Sequence, residues 1–201
     1  EDECYKILCE IAKRERAGDI IDKVTVDPSK TLFGSKKGDF VITIGENSNY
    51  IITVEAKNYR STLSFPKMQK TLKKAMKARE AQYAILVVKE KESLPQFVGY
   101  FKEFDNMLIC ALGTKESDNL NFEILDIAYK WAKMQVLLKE TKVTTKIDSA
   151  QISKKLSNLK SELVKFQNIN TQCDNIEGAT DRIREESRLL KTKISQKIDA
   201  L

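Results

Sequence analysis

Histidine is absent from the 201 residues. That excludes Ser-His-Asp and Cys-His catalysis, His-ligated zinc and any nuclease chemistry built on an imidazole. Acid–base work must come from Asp, Glu, Lys, Tyr or Cys, which narrows the enzymatic options towards carboxylate and metal chemistry. No apolar run reaches membrane-spanning length, and no signal peptide is visible. Cysteine is sparse: Cys4, Cys9, Cys110 and Cys173, with no C-x-x-C pair. That usage reads as reduced thiols in a cytoplasmic protein. The chain opens on Glu1 rather than Met, as a fragment of something longer would.

A general basic surface is also lacking. The net charge is +6, but residues 1–140 carry 23 basic and 21 acidic side chains, and residues 141–201 carry 12 and 8. Only local patches can therefore argue for an anionic partner. What is present is a 41% apolar fraction, enough for a core, in a length that suits one domain plus an extension.

The most informative stretch is Gly38-Asp39-Phe40-Val41-Ile42-Thr43-Ile44, then Gly45-Glu46-Asn47-Ser48-Asn49, then Tyr50-Ile51-Ile52-Thr53-Val54-Glu55-Ala56-Lys57. Two β-branched and aromatic runs flank five turn formers, which predicts a β-hairpin. If Ile44 pairs with Tyr50, Val41 faces Thr53 and Asp39 faces Glu55. Two carboxylates directly across an antiparallel pair repel. Lys57, on the same face, is one way to offset that. A divalent cation is the other, because two carboxylates and a backbone carbonyl are ligands Mg²⁺ accepts.

Around the hairpin the periodicity predicts a helix over 2–16, a strand over 20–26, a helix over 64–80, a buried strand over 83–88 and another over 107–112. Residues 94–104 read as a short irregular or helical crossover. An amphipathic helix follows over 120–140, with Trp131 as a packing anchor. The order is α-β-β-β-α-β-β-α. The 64–80 helix carries Lys67, Lys70, Lys73, Lys74 and Lys77 on one face, with Glu80 its only acid. Such lysines either solubilise a helix or track phosphates. Lys36 and Lys37, just before Asp39, could likewise hold a phosphate or sit in a solvated loop. Arg60 lies in the polar loop leaving the hairpin.

This hairpin and element order resemble the PD-(D/E)XK nuclease superfamily. There an Asp begins the second core strand and Glu-x-Lys lies on the third, roles matched by Asp39 and by Glu55-Ala56-Lys57. Gly38 stands where the family has Pro. The resemblance covers residues 1–140 and implies an α/β, restriction-endonuclease-like αβββαβ core, a mixed central sheet flanked by helices. It implies a Mg²⁺ (or Mn²⁺) ion held by Asp39, Glu55 and the Ala56 carbonyl, and phosphodiester hydrolysis on DNA, in recombination, repair or defence. Lys57 would orient or deprotonate the attacking water, or stabilise the transition state; the base role requires a lowered pKa. The family's first helix often adds a Glu, a role for Glu3 or alternatively Glu10. The basic 64–80 helix takes the place of the one that borders the family's DNA groove.

Residues 141–201 differ. Ile152, Leu156, Leu159, Leu163 and Phe166 follow 4-3-4-3 spacing, and after a one-residue slip Ile169, Cys173, Ile176, Ile183, Leu190, Ile194 and Leu201 continue it. This coiled-coil extension either folds back near Gly178 or is one long helix that pairs with another subunit, giving a homo-oligomer through 150–201. A nuclease-like domain with coiled coil is similar to the RmuC-like branch of the superfamily, as are Val-Glu-Ala-Lys-Asn and Ala-x-Tyr-Ala-Ile-Leu-Val. Two other readings stand beside the nuclease: a binding module of the same fold with weak chemistry, and a coiled-coil scaffold with a globular head.

Overall fold

The computed structural model describes residues 1–15, 18–24, 38–45, 49–59, 61–115, 120–144 and 149–199. The chain divides into two units, Glu1–Ser149 and Ala150–Leu201. The amphipathic helix does not stop at Glu140 but continues to Thr144.

The first unit is α/β, a mixed six-stranded sheet flanked by helices. In chain order it comprises α1 (Asp2–Glu15), β1 (Ile20–Lys23), β2 (Phe40–Thr43), β3 (Ile51–Lys57), α2 (Phe65–Arg79), β4 (Tyr83–Glu90), a 3₁₀ turn at Lys91–Ser93, β5 (Phe101–Phe104), β6 (Met107–Gly113) and α3 (Glu123–Thr144). The strand order is β1-β2-β3-β4-β6-β5. β1, β2 and β3 are antiparallel neighbours, β3, β4 and β6 run parallel, and β5 closes the edge antiparallel to β6. The parallel centre is the most deeply buried part: every residue of β6 and the first six of β4 are buried. Helices cover both faces there, so continuous apolar runs are what those strands require.

Two expectations need correction. Residues 94–104 are not a simple crossover, because Phe101–Phe104 forms β5. It pairs Phe104 with Met107 across a two-residue turn, where Asp105 takes the left-handed conformation (φ 51) that Asp tolerates. Residues 20–26 shorten to a strand ending at Lys23. The expected turn at 27–30 lies outside the described residues.

Side-chain contacts assign the two faces of the sheet. Trp131 of α3 and Tyr83 of β4 both donate to Glu103 Oε1, at 2.9 and 3.1 Å. Trp131 is 5% exposed, a packing residue of the core. The next residue, Phe104, meets Phe65 of α2 with ring centroids 4.6 Å apart. Strand alternation and the registers Thr53↔Ala84 and Glu55↔Leu86 then put Thr53, Glu55 and Lys57 on the α2 side. Ile52 and Val54 share the α3 side with Phe40, which contacts Tyr5 of α1 at 5.7 Å between centroids. α1 and α3 thus cover one face and α2 the other. On the α3 side the Asp19 side chain is buried, accepting from Tyr129, from Lys133 at 2.5 Å and from the Gly45 amide at 2.9 Å.

The second unit is a single helix, α4 (Ser149–Asp199). It runs through Gly178, so the fold-back does not occur. One glycine costs a helix only about 1 kcal/mol relative to alanine, and the heptad phase places Gly178 opposite the apolar stripe. Among the described residues no helix is long and apolar enough to cross a membrane.

Candidate active site

The hairpin has the register its turn implies. Val41 pairs with Thr53 and Phe40 with Val54, and the Ile44 amide donates to Tyr50 O at 2.9 Å. Asp39 is locked at the end of this ladder from both sides. Its amide donates to Val54 O at 2.8 Å, and its carbonyl accepts from the Val24 amide at 3.0 Å. Its side chain is therefore aimed by three strands rather than by a loop.

Asp39 and Glu55 are 7% and 5% exposed, and they come together around one ammonium. Lys57 Nζ lies 2.7 Å from Asp39 Oδ2 and 2.9 Å from Glu55 Oε2. Backbone amides hold the rest: Ala56 N–H donates to Asp39 Oδ2 at 2.9 Å, and Gly38 N–H donates to Glu55 Oε1 at 2.7 Å. Asp39 Oδ1 has no donor among the described residues. Burial opposes the charge on Lys57, but its hydrogen bonds to Asp39 and then Glu55 outweigh it and hold the lysine above its ordinary value. With no metal between the carboxylates, this arrangement favours the ammonium form of Lys57.

Gly38 has two roles that spacing did not reveal. Its φ is +80, in the left-handed region, and a Cβ there would stand 2.6 Å from Thr53 Oγ1. Proline fits neither the dihedral nor the hydrogen bond, since it has no N–H to offer Glu55. Gly38 is thus part of the cluster rather than a neutral replacement. Thr53 Oγ1 beneath it is buried without a hydrogen-bond partner among the described residues. Tyr59 was also missed. It is half-buried, and its hydroxyl is raised by burial and by the negative charge of Glu55 and Asp39, against the opposing pull of Lys57. Ser93 Oγ anchors its carbonyl at 2.9 Å.

Glu3 does not join. It lies exposed on α1, which packs on the opposite face of the sheet from Asp39 and Glu55, and the same holds for Glu10. No group of three or more Asp, Glu or Cys side chains placed to hold a metal occurs among the described residues. A cation here would rest on the Asp39–Glu55 pair and backbone oxygen. The donor set fits a hard cation: two carboxylates share one ammonium, so a net negative charge remains when both are ionised. In a β ladder a residue directs its N–H and C=O to the same neighbour. Ala56 N–H reaches Asp39, which puts the Ala56 carbonyl on that side too.

Of the expected anion-binding residues, Lys36, Lys37 and Arg60 lie outside the described residues. Lys67, Lys70, Lys73, Lys74 and Lys77 are exposed on α2, on the same side of the sheet as the cluster. Pro66, Gln69, Lys70, Lys73, Lys74 and Lys77 line an open groove of about 400 Å³.

No family model and no curated protein matches the chain. Among solved structures, similarity is found to a chain of a refined half-complex from a tetradecameric assembly of Thermococcus gammatolerans McrB AAA+ hexamers with bound McrC. The match has 14% identity and a TM-score of 0.39, and covers 63% of this chain and 31% of that one. At that level the similarity says nothing of this chain's activity.

Proposed function

We propose that the first unit is a metal-dependent nuclease of the PD-(D/E)XK type, with DNA as its substrate. The carrying observation is the buried pair Asp39, at the entry to β2, and Glu55, on the antiparallel neighbour β3, joined by Lys57. The αβββαβ order of α1 to β4 around that pair supports the same reading. A solvated polar hairpin face would leave such groups in water. Here both carboxylates are removed from it, and each is held by a backbone amide and the lysine.

Asp39, Glu55 and the Ala56 carbonyl would hold Mg²⁺ or Mn²⁺. Bound there, the metal supplies Lewis-acid polarisation of the phosphate and a more acidic water. The chain's own residues do the rest. The Gly38 and Ala56 amides fix the two carboxylates in orientation. Lys57 stays an ammonium and acts by charge, donating hydrogen bonds to phosphate oxygen as negative charge develops. Lys67, Lys70, Lys74 and Lys77 follow the phosphate backbone on the same side of the sheet.

A second reading keeps the fold as a DNA-binding module without cleavage. The observation in its favour is Lys57 itself, which already bridges both carboxylates where a cation would sit. The test is cleavage of linear, circular and branched DNA with Mg²⁺ or Mn²⁺ by wild type, Asp39→Ala and Lys57→Ala. Metal-dependent products from wild type alone support the nuclease. Binding without cleavage under either metal supports the module.

A further inference from the structure

α4 shows the reverse of a protein core. Ile169, Ile176, Ile183, Leu190 and Ile194 are 59, 66, 67, 59 and 50% exposed. These residues follow a seven-residue spacing, with Ile194 four beyond Leu190, so they form one stripe along a straight helix. Cys173, Thr180 and Ser187 fill the alternate core positions of the same heptads. Over 26 residues the stripe runs about 38 Å. Five apolar side chains on one line, half or more exposed, mark a surface that another helix covers.

We infer that the stripe pairs with the same stripe of a second copy of this chain, antiparallel, about a point between Asp181 and Arg182. In that register each core layer sets a large residue against a smaller or equal one: Ile176 against Ser187, Ile183 against Thr180, Leu190 against Cys173 and Ile169 against Ile194. The Thr180 hydroxyl already donates to Ile176 O at 2.8 Å, so burying it leaves no unpaired donor. The flanking positions agree. Glu177 meets Arg184 of the second copy, twice by symmetry. Asn170 meets Lys191, Gln172 meets Lys193 and Ala179 meets Glu186, so no like charges face each other. Arg184 reaches Asp181 of its own helix at 3.1 Å, an exposed pair that is easily exchanged. A parallel pairing gains Glu186 against Lys191. However, it stacks Cys173, Thr180 and Ser187 on themselves and puts β-branched Ile at three of the four layers where two-stranded coils favour Leu.

The test uses the full chain. Sedimentation gives a mass twice the 23.0 kDa of one chain, and Ile176→Asp/Ile183→Asp returns it to 23.0 kDa. Arg184→Glu weakens the dimer, and adding Glu177→Arg restores it. Orientation is read by oxidative cross-linking in a Cys9→Ser background. Leu190→Cys gives a disulfide-linked dimer through Cys173 of the other copy. The unaltered background and Leu190→Cys/Cys173→Ser give none. A monomer, a mass above the dimer, or cross-links in those two controls would overturn the proposal, the last by showing a parallel pair.

Discussion

The two units invert each other. In the first, charged groups are buried and their partners lie in the same chain: Asp39, Glu55 and Lys57 on one face of the sheet, Asp19 with Lys133 and Tyr129 on the other. In the second, apolar groups are exposed along a helix, with Ile169, Ile176, Ile183, Leu190 and Ile194 each half or more open to water. Burial of charge is costly unless geometry compensates it. A fold that places two carboxylates around one ammonium has used its strands to impose that geometry. Exposure of apolar side chains is costly in the other direction and is relieved by association. On the two proposals made above, chemistry belongs to the first unit and assembly to the second.

The largest effect expected on this contrast is at Gly38. Gly38→Ala forces a side chain into the left-handed region and against Thr53 Oγ1. It should destabilise the first unit by about 3 kcal/mol, the upper end for such strain, read as a shifted denaturant midpoint. Adding Thr53→Ala removes the oxygen but not the dihedral strain, so it recovers only part of the loss. If Gly38→Ala melts like wild type, the cluster is not held as tightly as the hydrogen bond from the Gly38 amide to Glu55 implies. Ile176→Asp/Ile183→Asp, by contrast, should leave that midpoint unchanged.

Next in size is DNA binding. Changing Lys70, Lys73 and Lys74 together to Ala should weaken binding of any DNA sequence alike. It should also lower the slope of log affinity against log salt by about 2–3, near one for each phosphate left without its lysine. An unchanged slope would make the α2 lysines a solubilising face and move the phosphate path elsewhere.

The smallest effect is on pH dependence. In EDTA the folded-state pKa of Lys57 lies above the unfolded value of 10.5, because Asp39 and Glu55 outweigh the burial that opposes its charge. A raised pKa means that the ammonium stabilises the fold fully below about pH 10.5. The contribution fades as pH rises through the folded value. Wild type should therefore lose stability on the alkaline side, and Lys57→Met should show less of that limb. Equal alkaline limbs in thermal melts would contradict the bridging geometry.

How much of this was legible in the sequence varies with the kind of signal. The β2–β3 register was readable, because Gly45–Asn49 fixes the loop and period-two alternation then pairs Val41 with Thr53 and Phe40 with Val54. The buried strand at 83–88 was readable from composition alone. β5 was not, because Phe101-Lys102-Glu103-Phe104 is too short for its alternation to stand out after Pro95 and Gly99. The face of the sheet that α1 covers was not readable either. Helical spacing shows which side of α1 is apolar but not which side of the sheet receives it, so Glu3 could be placed near the site only by resemblance. Gly38 was visible as a glycine, but its need arises from a close approach to Thr53, fifteen residues away in sequence. The single helix through Gly178 was open between two outcomes, because heptad spacing is the same for a hairpin and for a partner chain.

The central claim is that the Asp39–Glu55 pair is a cation site. The most direct measurement is Mn²⁺ titration of the full chain, with free ion followed by electron paramagnetic resonance. Wild type and Ile176→Asp/Ile183→Asp should each bind one ion per chain that Asp39→Ala does not, with Mg²⁺ competing. Absence of binding in wild type, or binding that survives Asp39→Ala, would contradict the account.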